Sequence, residues 1–257
     1  MAAPVQDAIV VFGDSLTQGG WESYGFTQRL AHDYARKLDV INRGLGGYNT
    51  EWALPVLEHI LTPATERKNA PIVRILTIWF GANDSCISPS RQHISLERFS
   101  ANLEQMISMV SNPESKYYSP ETHILLLTPP PINTFQRGPE LESRNPPRLL
   151  DREFDVTAKY AQAVRDVGSK HTLPVVDVYK ALWDAVGHEE KALNKYLSDG
   201  LHLTADGYTI VYDEIMKTIS QKLPKLHYDN LQQVFTPWDE VDVSNVAGSV
   251  AKRNIFK

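Results

Sequence analysis

The chain of 257 residues holds one cysteine, Cys86, so no disulfide can form within it. Long apolar runs are also missing. None approaches the roughly 20 residues that a membrane-spanning helix needs, so no membrane association is expected. There is no excess of positive charge: 26 Lys and Arg stand against 31 Asp and Glu, a formal charge of -5. That balance argues against nucleic acid as a partner, because a phosphate-binding face is basic. Residues 1–7 lack the basic start of a signal peptide, and the apolar run 8–12 is too short for its core, so a cytoplasmic location is expected. Several motifs are absent as well. Neither G-x-G-x-x-G for dinucleotides, nor G-x-x-x-x-G-K-[ST] for nucleotide phosphates, nor H-E-x-x-H for zinc, nor the G-x-S-x-G nucleophile elbow occurs.

What is present is an alternation. Residues 8–12, 40–41, 72–80, 123–128 and 175–176 read as strands. Their near-continuous apolar character marks strands covered on both faces, as in a parallel sheet. Between them lie helical patterns. Apolar side chains share one face over 27–38, 95–110 and 154–167, and Thr204 is placed to cap a helix carrying Tyr208, Val211, Ile215 and Ile219. Residues 50–61 are also helix-like, with Pro55 either in the first turns or at a kink. Strand and helix in repeated succession predict an α/β domain around a parallel sheet. Without an internal repeat or a long linker, one domain over 1–257 is expected. A C-terminal extension from about residue 224 would wrap the domain, pair with another subunit or lack order. Residues 129–150, rich in Pro, Arg, Asn and Glu, break the rhythm and read as a functional or mobile loop.

Open parallel sheets bind ligands at the carboxyl ends of their strands. The first strand is followed by Gly13-Asp14-Ser15-Leu16-Thr17, the second by a glycine-rich run from Asn42 to Thr50, and the third by Gly81-Ala82-Asn83-Asp84. Asp199-Gly200-Leu201-His202 precedes the last strong helix. Together these hold the parts for acyl transfer. Ser15 sits in a tight turn that Gly13 permits, and its hydroxyl needs a base. His202 suits that task near neutral pH, and Asp199 can fix its tautomer and stabilise the imidazolium. The Ser15 and Gly47 backbone N–H groups and the Asn83 side-chain amide are the candidate oxyanion donors. Taken singly, each signal has a plainer reading as a turn, a loop or a surface pair. Four segments in the right order after the right strands make the joint pattern informative. Cys86 offers a thiol near the third loop, but a small buried residue is the better reading. Trp21, Tyr24, Phe26, Tyr48, Trp52 and Phe80 fit an apolar ester pocket, although most would serve as packing.

These four blocks resemble those of the SGNH (GDSL-type) hydrolases, over positions 13–202. The resemblance implies Ser15 as nucleophile, Gly47 and Asn83 as oxyanion donors, His202 as base and Asp199 as its partner. It also implies a three-layer α/β/α flavodoxin-like fold with a five-stranded parallel sheet. The stretch from Arg43 to Leu54, the loop from Gly81 to Cys86, Asp199 to His202, and Trp238-Asp239 are similar to the isoamyl acetate-hydrolysing esterase subgroup. That narrower likeness implies a small-molecule ester substrate, such as the acetate of a short alcohol, and a homodimer. No metal or organic cofactor is implied. The same constellation would also serve a lysophospholipase, a thioesterase, a carbohydrate acetylesterase or an acyltransferase. A catalytically dead scaffold is disfavoured because no position of the constellation is lost.

Overall fold

The computed structural model describes residues 5–256. The reading of the first residues as unlike a signal peptide rests in part on residues 1–4, which lie outside the described residues, as do the outermost bounds of the expected domain.

Five strands form one parallel sheet: β1 (Asp7–Gly13), β2 (Leu38–Gly44), β3 (Val73–Trp79), β4 (His123–Leu127) and β5 (Val175–Val176). Their order is β2-β1-β3-β4-β5, the flavodoxin-like arrangement expected from the sequence. Nine α-helices occur among the described residues: α1 (Ser15–Gln18), α2 (Phe26–Asp33), α3 (Thr50–Ile60), α4 (Leu96–Ser111), α5 (Thr134–Glu142), α6 (Phe154–Lys170), α7 (Val178–Ala185), α8 (Ala205–Lys222) and α9 (Val246–Ser249).

The pleat of β1 divides the core in two. Successive side chains of a strand point to opposite faces. Ile9 and Val11 pack with Phe26 and Leu30 of α2, Leu182 of α7 and Val211 and Ile215 of α8. Ala8, Val10 and Phe12 pack with Leu57 of α3, Phe99 and Leu103 of α4 and Val164 of α6. Burial on both sides is why β1 reads as an unbroken apolar run. Each such side chain fully removed from water contributes roughly 1.5–3 kcal/mol before entropy is counted.

The helix starts follow their caps. Asn49, Ser95 and Thr204 each accept a backbone N–H from the first turn of α3, α4 and α8. Pro55 sits in the second turn of α3, which continues to Ile60. Two expectations are corrected. The pattern over 27–38 overruns: α2 stops at Asp33, Arg36 takes φ +63°, and Leu38 already opens β2. The supposed loop 129–150 contains α5, capped by the Asn133 side chain on Gln136 N–H.

Beyond α8 the chain runs back across the α2–α8 face. Leu226, Leu231, Val234 and Ile255 join that core cluster. The Val234 N–H bonds to the Arg36 carbonyl at 2.8 Å, and Leu231 pairs with Phe256 in an antiparallel bridge.

Candidate active site

The carboxyl ends of β1, β2 and β3 lie side by side, with Gly13 opposite Gly44 on one flank and Trp79 on the other. The chain leaves β1 through Asp14, whose carboxylate caps α1 by accepting the Leu16 N–H at 2.9 Å. The turn is tight because Gly13 lacks a side chain. A Cβ there would meet Thr17 Oγ1 at 2.1 Å and the Trp79 carbonyl at 2.5 Å. Ser15 is therefore the first residue of α1, half-buried at the sheet edge. Its backbone N–H has no intramolecular acceptor among the described residues, as expected at a helix start.

The Ser15 hydroxyl donates to His202 Nε2 at 3.1 Å. On the far side of the ring, Nδ1–H donates to Asp199 Oδ2 at 2.9 Å. That bond sets the tautomer, leaving Nε2 as the acceptor. Asp199 is held in turn. Its Oδ1 accepts the backbone N–H groups of Leu201 and His202, at 3.0 and 2.7 Å. Burial opposes its ionisation, but the ring and backbone N–H groups of His202 and the Leu201 N–H hold its carboxyl well below the usual carboxylate range. The structure thus brings together Ser15, Asp199 and His202, the last two lying more than 180 residues from the first.

Gly47 and Asn83 line the same pocket as Ser15 and His202. Gly47 takes φ +80°, a conformation glycine adopts without strain, and its N–H has no acceptor among the described residues. The Asn83 amide is oriented by three neighbours. Its Oδ1 accepts from Gln92 Nε2 at 3.2 Å and from Arg152 Nη2 at 2.9 Å, and its Nδ2 donates to the Tyr48 carbonyl at 2.8 Å. With two donors on Oδ1 the amide cannot turn over, and Nδ2 keeps one N–H for a ligand. Gln92 Nε2 also donates to the Gly47 carbonyl at 2.8 Å, tying the two loops together.

Two buried carboxyls underlie these loops. Asp84 Oδ1 accepts the Thr50 N–H, and its Oδ2 has no partner; burial pushes its carboxyl up to about 6. Asp14 Oδ2 is likewise without a partner, and burial pushes that carboxyl up to about 7.

The pocket has a volume of about 210 Å³. Sequence reasoning missed most of its wall: Gln92, Asp151 and the four arginines 137, 144, 148 and 152. Arg137, only 4 % exposed, donates from Nη1 to Asp199 Oδ2 at 2.8 Å. Arg152, 2 % exposed, donates from Nε to the Ala82 carbonyl at 2.6 Å as well as holding Asn83. The only advance signal was the Arg-rich, Pro-rich stretch 129–150, which carries Arg137, Arg144 and Arg148; Gln92, Asp151 and Arg152 lie outside it.

None of the six aromatics expected around an apolar pocket lines it. Phe26 and Phe80 are core residues, Trp21 and Tyr24 face solvent, and Tyr48 and Trp52 meet edge to face at 6.0 Å. Leu201 is the pocket's one hydrophobic side chain. Cys86 is buried, and that burial pushes its thiol up, which disfavours a thiolate nucleophile. A larger surface hollow of about 620 Å³, lined by Ser111, His123 and Lys222 among others, lies at the opposite end of the sheet. The Ser111 hydroxyl donates to the Ile107 carbonyl of α4. Among the described residues no helix is long and apolar enough to cross a membrane.

Comparison with known proteins defines the class first. The chain is 36 % identical to a GDSL esterase/lipase of Arabidopsis thaliana, covering 83 % of this chain and 85 % of the relative. It is 29 % identical to the isoamyl acetate-hydrolyzing esterase of Saccharomyces cerevisiae, covering 93 % of this chain and 98 % of that one. Among solved structures it resembles the lipase/acylhydrolase from Enterococcus faecalis, with a TM-score of 0.60 and 28 % identity over 84 % of this chain and 96 % of that chain. These are carboxylic ester hydrolases, and this chain is one too. The sequence pattern of the GDSL-like Lipase/Acylhydrolase family matches residues 11–210, and the chain belongs to that family.

Proposed function

We propose that the protein hydrolyses small carboxylic esters with short acyl chains, such as acetates, through an acyl-Ser15 intermediate. The observation that carries this reading is the 3.1 Å hydrogen bond from Ser15 Oγ to His202 Nε2, which gives the hydroxyl a base in line with an oriented carboxylate. In this mechanism Ser15 Oγ attacks the ester carbonyl as its proton passes to Nε2. Asp199 holds the ring and stabilises the imidazolium. The charge developing on the carbonyl oxygen is received by the N–H groups of Ser15 and Gly47 and by Asn83 Nδ2–H. His202 then gives its proton to the departing alcohol. Water, deprotonated by the same ring, releases the acid and restores Ser15.

The volume of about 210 Å³ favours a small ester, lying below the roughly 300–1,000 Å³ common for drug-sized ligands. Names of relatives point the same way, since an isoamyl acetate-hydrolyzing esterase is among them. The reading also takes residues 1–257 as one domain with the tail as an extension, and expects a cytoplasmic homodimer. Sedimentation would test the dimer.

Chain-length profiling on matched ester and thioester panels tests the substrate class. Turnover should peak at acetate or propionate and fall with longer chains. An optimum at long acyl chains, or on thioesters, would refute it. Adding acceptor alcohols should give no new ester, whereas an acyltransferase would make one.

A further inference from the structure

We infer that the ester turned over at Ser15 carries a carboxylate, which Arg148 receives at the pocket mouth with Arg144 beside it. This rests on the function proposed above and narrows its substrate. The argument comes from where each pocket charge is already engaged. Arg137 faces Asp199, Glu140 and Asp151, at 2.8, 3.2 and 3.3 Å. Arg152 donates to the Ala82 carbonyl and to Asn83. Its Nη1 lies 2.6 Å from Asp151 Oδ2, yet this buried nitrogen makes no aligned hydrogen bond. Arg144 is paired with Glu140 through Nε at 2.8 Å. Arg148 differs. Its backbone N–H bonds to the Leu141 carbonyl, but Arg148, an exposed residue of the pocket lining, has no carboxylate or carbonyl partner for its guanidinium among the described residues. Four guanidinium groups thus meet three carboxylates, those of Glu140, Asp151 and Asp199. The pocket is left with positive charge in a chain whose formal charge is -5.

A wholly neutral, apolar ester would find little to match in this wall, where Leu201 is the one hydrophobic side chain. A carboxylate would find a planar donor able to take both its oxygens. The position fits as well. Arg148 follows α5, and α5 is bound to Asp199 through Arg137, so the segment that carries Arg148 is tied to the catalytic dyad.

The test uses matched pairs of esters that differ only in charge. 3-Acetoxypropanoate against 3-acetoxypropanamide places the charge on the alcohol. Methyl hydrogen glutarate against methyl glutaramate places it on the acyl part. With kcat/KM read by pH-stat at about 0.05 M NaCl, the carboxylate member should win by about tenfold in at least one pair. That figure reflects one charge-assisted hydrogen bond at a partly exposed site. The ratio should shrink as NaCl rises to about 0.5 M. It should fall toward unity in Arg148→Gln and be partly kept in Arg148→Lys, with the neutral ester as each variant's own reference. Equal rates for both members in both pairs, or a preference that Arg148→Gln leaves intact, would overturn the inference. Ser15-dependent turnover of 4-nitrophenyl acetate in the same preparation separates the two claims. If it is present without a charge preference, only the inference fails. If it is absent, the proposed function fails and takes the inference with it.

Discussion

Replacing Asp14 by Asn should flatten the pH dependence of stability. The Asp14 carboxyl is buried. Its Oδ1 accepts the Leu16 N–H at 2.9 Å, and its Oδ2 has no partner. Burial raises it from 3.8 to about 7. The Leu16 N–H pulls the other way, Asp84 adds to the rise, and His202 and Arg152 oppose it. Because the folded value lies above the unfolded one, the folded chain keeps a proton that the unfolded chain has lost between about pH 4 and pH 7. Stability from this group is therefore present in acid and is lost as pH rises through that window. At 1.36 kcal/mol per pH unit, the ionised fold bears a cost of about 4 kcal/mol above pH 7. Asn keeps the acceptor for Leu16 and cannot ionise, but its buried amide N–H groups have no acceptor at the Oδ2 position and cost about 1–3 kcal/mol at every pH. The difference in slope is thus the diagnostic quantity. Urea unfolding at pH 4, 6 and 8 should show the wild type losing about 4 kcal/mol more than Asp14→Asn across the range. Asp84, raised to about 6, keeps a smaller share of its own in both proteins. Parallel stability curves for wild type and variant would refute the assignment of a protonated Asp14.

Two further substitutions probe the groups behind the site. Arg152→Gln removes the nearer of the two donors on Asn83 Oδ1 and loosens the amide, which Gln92 and the Tyr48 carbonyl still hold; kcat on 4-nitrophenyl acetate should fall by about tenfold, less than the roughly 10²-fold of a lost oxyanion donor, with KM moving much less. An unchanged kcat would show that Asn83 does not depend on this contact. Arg137→Gln leaves Asp199, Asp151 and Glu140 without their shared cation, which should cost about 3 kcal/mol in urea unfolding and lower kcat by misplacing Asp199; stability within about 0.5 kcal/mol of wild type would contradict the role given to this network.

The sequence reports most clearly where physics repeats. Buried parallel strands need apolar side chains on both faces, so residues 8–12 and 72–80 were legible as β1 and β3. Three site segments follow directly from such strands, and their turn chemistry is local. Ser15 needs a preceding glycine, and Gly47 needs a backbone that tolerates φ +80°. The wall of the pocket was not legible for the opposite reason. Arg137 meets Asp199 across 62 positions, and no periodicity encodes which arginine of a Pro-rich stretch turns inward. The helix α5 is short and holds Pro139, so the stretch reads as a loop. The aromatics misled because apolarity near a site in sequence says nothing about which face a residue takes. Phe26 and Phe80 turned to the core instead. Asp14 was visible as a residue of the turn, but its burial depends on neighbours from other strands.

The most direct test of the central claim is covalent. The protein should be incubated with an organophosphate ester probe, digested and mapped by mass spectrometry, with 4-nitrophenyl acetate turnover followed in parallel. The account predicts one adduct, on Ser15, with activity lost in step with labelling and turnover abolished in Ser15→Ala. An adduct on another residue, or Ser15→Ala turning over at the wild-type rate, would contradict it.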